Sequence, residues 1–170
     1  NSTGTGLTYQ WRKGNVNLVN GLRINGATND TLTIFPTLIT DSAYNYNVIV
    51  TSTNGSDTSS LALLKINLPT LITTEPVNQI GCVSTTVKFS VKATGTNLVY
   101  QWRKGNVNIV NGPRISGANS DTLVINGSII SDTSSNYNVL ISGACGINDT
   151  SNFVKLTLNS LPVITIEPTS

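Results

Sequence analysis

An all-β chain of two tandem antiparallel β-sandwich modules, the first lacking its two opening strands, is what the sequence predicts. Three observations carry this. Helical periodicity is nearly absent, while apolar residues alternate along short runs. Turn dipeptides separate those runs. And the chain repeats itself at an offset of 91 residues: Tyr9-Gln10-Trp11-Arg12-Lys13-Gly14-Asn15-Val16-Asn17 returns as Tyr100-Gln101-Trp102-Arg103-Lys104-Gly105-Asn106-Val107-Asn108. Residues 9–34 and 100–125 are identical at 20 of 26 positions without a gap. The register continues, with Asp41 on Asp132, Asn45 on Asn136, Tyr46 on Tyr137 and Val48 on Val139. A self-match of this length defines a repeated structural unit.

The elements of the second copy follow in order. Strands are expected at 71–74, 86–93, 98–104, 114–115, 122–125, 136–142 and 152–158. Leu98, Tyr100 and Trp102 share one face; Val87, Phe89 and Val91 share another, as do Tyr137, Val139 and Ile141. Asn111-Gly112, Ser116-Gly117, Asn126-Gly127 and Gly143-Ala144-Cys145-Gly146 supply the turns. Leu68-Pro69 marks a module boundary and recurs as Leu161-Pro162. There Val163-Ile164-Thr165-Ile166-Glu167-Pro168 echoes Leu71-Ile72-Thr73-Thr74-Glu75-Pro76. The expected domains are therefore a partial module over 1–67, a complete one over 68–160, and the opening strand of a following module over 161–170.

The first copy begins at a point equivalent to the middle of the second. Ser2-Thr3-Gly4-Thr5 aligns with Ala93-Thr94-Gly95-Thr96, so no residues correspond to the first two strands. The apolar face of Tyr9, Trp11, Tyr46 and Val48 is then partly uncovered. At about 25 cal/mol per Å², such a loss is a large share of a small domain's stability. Three explanations stand side by side: a chain that is part of a longer one, strands supplied by another chain, or a frayed module. Strand addition is an established binding mode, and the spare strand at 161–170 gives the second explanation its motive.

Composition excludes several classes. Charged residues make up 11% and the net charge is +2, too weak for a nucleic-acid or anionic-membrane partner. No apolar run approaches the roughly 20 residues a membrane helix needs, so membrane insertion is not expected. Histidine is absent, which removes Ser-His-Asp catalysis and histidine-bearing zinc sites. No catalytic residue, metal site or cofactor is expected, and the chain is read as a non-enzyme. The carboxylates stand singly, and Asp30/Asp121 and Asp41/Asp132 recur beside Thr or Ser. Recurrence of that kind suits turn capping better than acid catalysis. Trp11 and Trp102 are expected in the cores rather than as a sugar-stacking platform, together with Tyr46 and Tyr137. Arg12, Lys13, Arg103 and Lys104 are read as solvated strand ends.

Cys82 and Cys145 form a disulfide candidate. Cys82 precedes the second strand and Cys145 lies in the hairpin after the sixth, at opposite ends of a sandwich. An internal bridge, which needs Cα atoms within about 7 Å, requires a displaced segment near 79–84. Bonding across modules or chains is the alternative. Asn54 takes the Cys145 position in the first copy.

Val87-Lys88-Phe89-Ser90-Val91, then Trp102, then Asp132 and Tyr137-Asn138-Val139 resemble an immunoglobulin-like domain. Trp102 matches the buried tryptophan of the third strand, and Tyr137 the tyrosine near the start of the sixth. Val91 and Val139 occupy the inter-sheet cysteine positions, so the core disulfide of antibody-type domains is missing. The Tyr-Gln-Trp-Arg-Lys run, the Gly-Ala-x-x-Asp-Thr-Leu run and the Gly-Ala-Cys-Gly hairpin look like tandem repeats of large secreted or cell-surface proteins of Bacteroidota. The resemblance implies an extracellular or cell-surface location and a structural stalk or fibre segment of an adhesin-like protein, with a carbohydrate-binding accessory module of a secreted polysaccharide hydrolase as the alternative. The implied partners are neighbouring modules or other copies of the chain, with surface polysaccharide a further candidate. It also marks Thr31, Ser42 and Thr122 as candidate O-glycosylation sites, in Asp30-Thr31-Leu32, Asp41-Ser42-Ala43 and Asp121-Thr122-Leu123, which look like the Asp-Ser/Thr-apolar motif.

Overall fold

The computed structural model describes residues 5–160 and Pro162. The chain divides into two units between Asn67 and Leu68, and almost all regular structure is strand. Unit 1 contains β1 (Thr8–Lys13), β2 (Val16–Asn17), β3 (Ile24–Asn25), β4 (Thr33–Ile34), β5 (Ala43–Ser52), β6 (Gly55–Thr58) and β7 (Ala62–Leu64). Unit 2 contains β8 (Leu71–Thr74), β9 (Gln79–Cys82), β10 (Val87–Ser90), β11 (Lys92–Thr94), β12 (Val99–Lys104), β13 (Val107–Asn108), β14 (Ile115–Ser116), β15 (Thr122–Ile125), β16 (Ser134–Ser142), β17 (Asp149–Thr150) and β18 (Val154–Asn159).

Unit 2 is a closed sandwich. One layer runs β13-β12-β16-β18-β9, with β17 also on β16. The other runs β10-β15-β14, while β11 pairs with β8. The strands form because apolar side chains alternate with polar ones, so one face of each is driven inward. Val87 and Phe89 are buried between exposed Lys88 and Ser90; Val154, Leu156 and Leu158 are buried around exposed Lys155. The two inner faces meet in one cluster in which Phe89, Trp102, Leu123, Val139, Ile141 and Leu156 have no exposed surface. Phe89 stacks on Tyr137 with ring centroids 5.1 Å apart and lies 6.1 Å from the Trp102 ring, distances at which aromatic pairs attract beyond simple burial.

Besides the short strands β13 and β17, two details differ from the sequence expectation. The single strand expected at 86–93 is two strands, because the chain changes partner at Val91. β10 pairs with β15 and β11 with β8, while Val91 between them is buried and donates its N–H to Asp121 O at 3.0 Å. β9 was not expected. It runs parallel to β18, with Gln79 opposite Leu156 and Cys82 opposite Asn159. Its side chains give little alternation, since Ile80 is largely exposed; backbone pairing, not a buried face, makes it a strand.

Unit 1 repeats half of this plan. Its main sheet runs β2-β1-β5-β6, with β7 on the same β5, and β3 pairs with β4. The register is conserved: Trp11 faces Val48 as Trp102 faces Val139. Among the described residues, nothing in unit 1 stands where β8, β9 and β10 stand in unit 2. The following-module strand expected at 161–170 lies outside the described residues, Pro162 apart.

The recurrent Gly-Ala turn shows why the repeat is so strict. Gly117 has φ +74° and a Cβ there would stand 1.9 Å from Thr122 O; Gly26 has φ +77° and the same conflict at 2.0 Å with Thr31 O. Only glycine fits so close an approach. The next residue, Ala118 or Ala27, is buried and accepts the tryptophan N–H at 2.8 Å in both units. The indole N–H then donates to a carbonyl of the same turn, Ser120 O or Asn29 O, at 2.9 Å in both.

Candidate functional site

The site worth building is the uncovered inner face of unit 1. β1 presents Tyr9 and Trp11, β5 presents Tyr46, Val48 and Val50, and β4 presents Ile34. In unit 2 the matching Trp102 and Tyr137 lie against Phe89 of β10. In unit 1 they border two openings. One, of about 980 Å³, lies among Leu7, Tyr9, Trp11, Val48, Val50 and the Ser52–Asp57 hairpin. The other, of about 270 Å³, lies among Trp11, Leu32, Ile34, Tyr46, Ala62 and Leu64. Trp11 borders both. It keeps part of its surface open, whereas Trp102 is 0% exposed. The same holds for Leu32 against Leu123 and for Val48 against Val139. Tyr46 is the exception, at 5% exposed.

Tyr46 stays covered because a local brace holds it without the second layer. Its hydroxyl donates to Asp41 O at 2.7 Å, and Tyr137 donates to Asp132 O at 2.7 Å. The Asp41 carboxylate accepts from Arg23 at 2.8 and 3.1 Å and from the Leu38 N–H at 2.6 Å. The Asp132 carboxylate accepts from Arg114 at 2.9 Å and from the Ile129 N–H at 2.8 Å. The Arg23 guanidinium and then the Leu38 N–H hold the Asp41 carboxyl below its ordinary pKa. At Asp132 burial is the largest influence and works upward, but Arg114 and the Ile129 N–H outweigh it, so this carboxyl also lies low. Burial, with Asp132 nearby, pushes the Tyr137 phenol up to about 12. Sequence reasoning placed Asp41 and Asp132 in capping roles and missed their arginines. The signal was available: Arg23 and Arg114 also recur, each 18 residues before its aspartate.

The cysteines are far apart. Both are free and exposed. Cys82 lies opposite Asn159, three residues past Leu156, which faces Ser134 at the start of β16. Cys145 follows the far end of β16 at Ser142. At about 3.3 Å per residue, β16 alone separates them by roughly 26 Å, against the 7 Å or so a disulfide allows. A bridge between Cys82 and Cys145 of one module is therefore ruled out; the segment at 79–84 pairs with β18 instead of bending toward the hairpin.

The remaining candidates do not gather into a site. Lys13 Nζ donates to Thr40 O at 2.7 Å beside the Tyr46 ring, and Lys104 Nζ to Ser131 O at 2.9 Å beside Tyr137. Arg12 bonds Asn15 and Arg103 bonds Asn108, so these cations are tied individually within hairpins. Thr31 is exposed in its turn. The Ser42 hydroxyl accepts the Ile66 N–H at 2.9 Å, and Thr122 bonds Ser90 at 3.3 Å. Among the described residues, no three Cys, Asp or Glu side chains stand together as a metal cluster would require, and no helix is long and apolar enough to cross a membrane.

The layer order, the buried tryptophan on β12 and the tyrosine bonded back to the chain before β16 define unit 2 as an immunoglobulin-like sandwich, and the repeat makes the chain a tandem array of that fold. Solved structures agree. A Glu-to-Ala variant of the three-domain titin segment I67–I69 superposes with a TM-score of 0.71 at 19% identity, covering 97% of this chain and 59% of that one. Extracellular domains 3–5 of Drosophila OTK give 0.62 at 19%, covering 90% and 52%. The N-terminal eight domains of Down Syndrome Cell Adhesion Molecule give 0.71 at 16%, covering 90% and 21%. The chain thus spans less than two thirds of each of these structures, and at such identities the likeness establishes fold. No family model and no curated protein sequence matches the chain.

Proposed function

We propose that this chain is a structural repeat segment, a stalk or fibre portion of a large secreted or cell-surface adhesin-like protein of the Bacteroidota type, in which modules join by strand complementation. Its partners are neighbouring modules or other copies of the same chain. The observation that carries the reading is the repeat itself: near-identical strands pair in the same register in both units. Locally folding modules in series make a spacer, and strand addition is an established way for such modules to join. Arrays of this fold in titin and in a cell adhesion molecule are consistent with that use. Thr31, the most open of the three candidate threonine and serine sites, is the preferred position for glycosylation.

The carbohydrate-binding alternative needs a row of exposed aromatics. The exposed ones are Phe35, Tyr44 and Phe153, and none has an aromatic counterpart in the other copy. The surrounding reading frame discriminates the two: many tandem copies of the 91-residue period support the stalk, whereas one or two copies beside a hydrolase domain overturn it.

A further inference from the structure

The sequence holds five Asn-Gly pairs, at 20–21, 25–26, 54–55, 111–112 and 126–127. The pair has a chemistry of its own. The glycine amide nitrogen can attack the asparagine side-chain carbonyl carbon, and glycine permits the approach because it has no Cβ and turns freely. A cyclic imide forms as the new bond to Cγ is made and the bond from Cγ to Nδ2 breaks. The glycine amide proton is lost to solvent, the departing nitrogen takes one up, and it leaves as ammonia. Water then opens the imide at either carbonyl, giving aspartate or isoaspartate.

All five pairs read alike along the chain, and the fold separates them. Asn20 and Asn111 are locked on both sides. Their Oδ1 atoms accept the Ala27 and Ala118 N–H groups at 2.8 and 2.9 Å. The Gly21 and Gly112 N–H groups donate to Ile24 O and Ile115 O at 2.9 and 2.8 Å. Asn126 Oδ1 accepts the Thr86 hydroxyl at 3.0 Å, and the Asn126 N–H donates to Arg114 O at 2.7 Å. Asn25 lies on β3 opposite Thr33. The Gly26 that follows it is buried, with Thr31 O 2.0 Å from where a Cβ would be, so this backbone has no room to turn.

Asn54 is held by none of these devices. It stands at the tip of the hairpin between β5 and β6, where Ser52 faces Gly55. Its backbone N–H donates to Ser52 Oγ at 3.2 Å. Its side chain is exposed, and the side-chain amide is without a hydrogen bond among the described residues. Gly55 is exposed too, at φ +137°, with no atom within 4 Å of its Cβ position. Exposure of this tip does not depend on what covers unit 1. Cys145 takes the same position in unit 2, where β8 to β11 are in place, and it is also exposed.

We infer that Asn54 is a modification site, which converts without an enzyme to aspartate or isoaspartate through attack by the Gly55 nitrogen. The reacting group is the side chain's own amide, and the co-reactant is water. The product places a negative charge on the hairpin tip, where it disturbs no packing. A hydrogen bond that locks a pair must break before the ring can close. With two such bonds each, Asn20 and Asn111 should react roughly tenfold or more slowly than Asn54.

Peptide mapping by tandem mass spectrometry tests this. The folded 170-residue chain is incubated in mildly alkaline buffer, where the glycine amide loses its proton more easily. Each asparagine is followed by the mass gained when an amide becomes an acid. Asn54 is expected to convert first, roughly tenfold or more faster than Asn20 and Asn111, with Asn25 and Asn126 also behind it. Unfolded in urea, the same chain is expected to convert all five at similar rates, since every one is followed by glycine. Asn54→Gln should remove the fast conversion, because the longer side chain closes a ring less readily. A folded chain in which Asn54 keeps its amide, or converts no faster than the locked pairs, overturns the inference. So does an unfolded chain that keeps the folded ranking, since neighbours along the chain and not the hairpin would then set the rate.

Discussion

Trp11 and Trp102 occupy the same strand position, face the same valine and donate the same 2.9 Å indole hydrogen bond, yet only Trp102 is sealed from solvent. The difference is Phe89, which covers Trp102 and has no counterpart over Trp11 among the described residues. In the single-tryptophan variants Trp102→Phe and Trp11→Phe, acrylamide should quench the emission of Trp11 readily and that of Trp102 hardly at all. Equal quenching would mean that the two cores are equally closed.

The leucines two residues after the recurrent aspartate give a thermodynamic version. Leu123 is 0% exposed, while Leu32 lies on the open face. Leu123→Ala should destabilise unit 2 by about 3–4 kcal/mol, within the range for fully buried leucines. Leu32→Ala should cost unit 1 about 1–2 kcal/mol, because less surface is withdrawn from water at that site. Denaturant titrations of both variants check this, and losses of similar size would contradict the open groove.

Unit 2 should lose stability at both ends of the pH range. Asp132 has a folded-state pKa below its unfolded value of about 3.9. Its contribution is complete above that value and vanishes as pH falls through the folded pKa. Tyr137 has the opposite sign: its pKa rises to about 12 on folding, so its contribution is complete below about 10 and is lost between about 10 and 12, by roughly 3 kcal/mol. Asp132→Asn should flatten the acid limb and Tyr137→Phe the alkaline limb of melting temperature against pH. A variant that leaves its limb unchanged would remove that residue from the account.

Cys82 and Cys145 should remain independent thiols within one chain. Both are expected to react with a water-soluble disulfide reagent without unfolding, since both are exposed. Mild oxidation of dilute chain should leave the intact mass free of an internal bridge, whereas concentrated chain can form bonds between molecules. Loss of two hydrogens from the monomer would show that the ends of the sandwich come together.

Much of this was legible in the residues. Alternation fixed the inward faces of Val87, Phe89, Tyr137 and Val139, because a strand exposes every second side chain to the same side. The Gly-Ala turn and the tryptophan were readable as a unit because both copies keep them, and the close approach at Gly117 explains why they must. β9 was not legible, since its pairing with β18 uses backbone groups that every sequence possesses. The arginine partners of Asp41 and Asp132 required knowing that a turn returns the chain across 18 residues.

By itself, the sequence determined that there are two copies, which strands they contain and which face of each strand is apolar, because those properties repeat locally along the chain. The tertiary structure decided that Tyr46 stays buried in the first copy while Trp11 does not, and that residues 79–82 pair with β18 instead of bending toward the hairpin that carries Cys145. Burial depends on the facing layer, and distance depends on the path between strands; neither is contained in the neighbours of a residue along the chain.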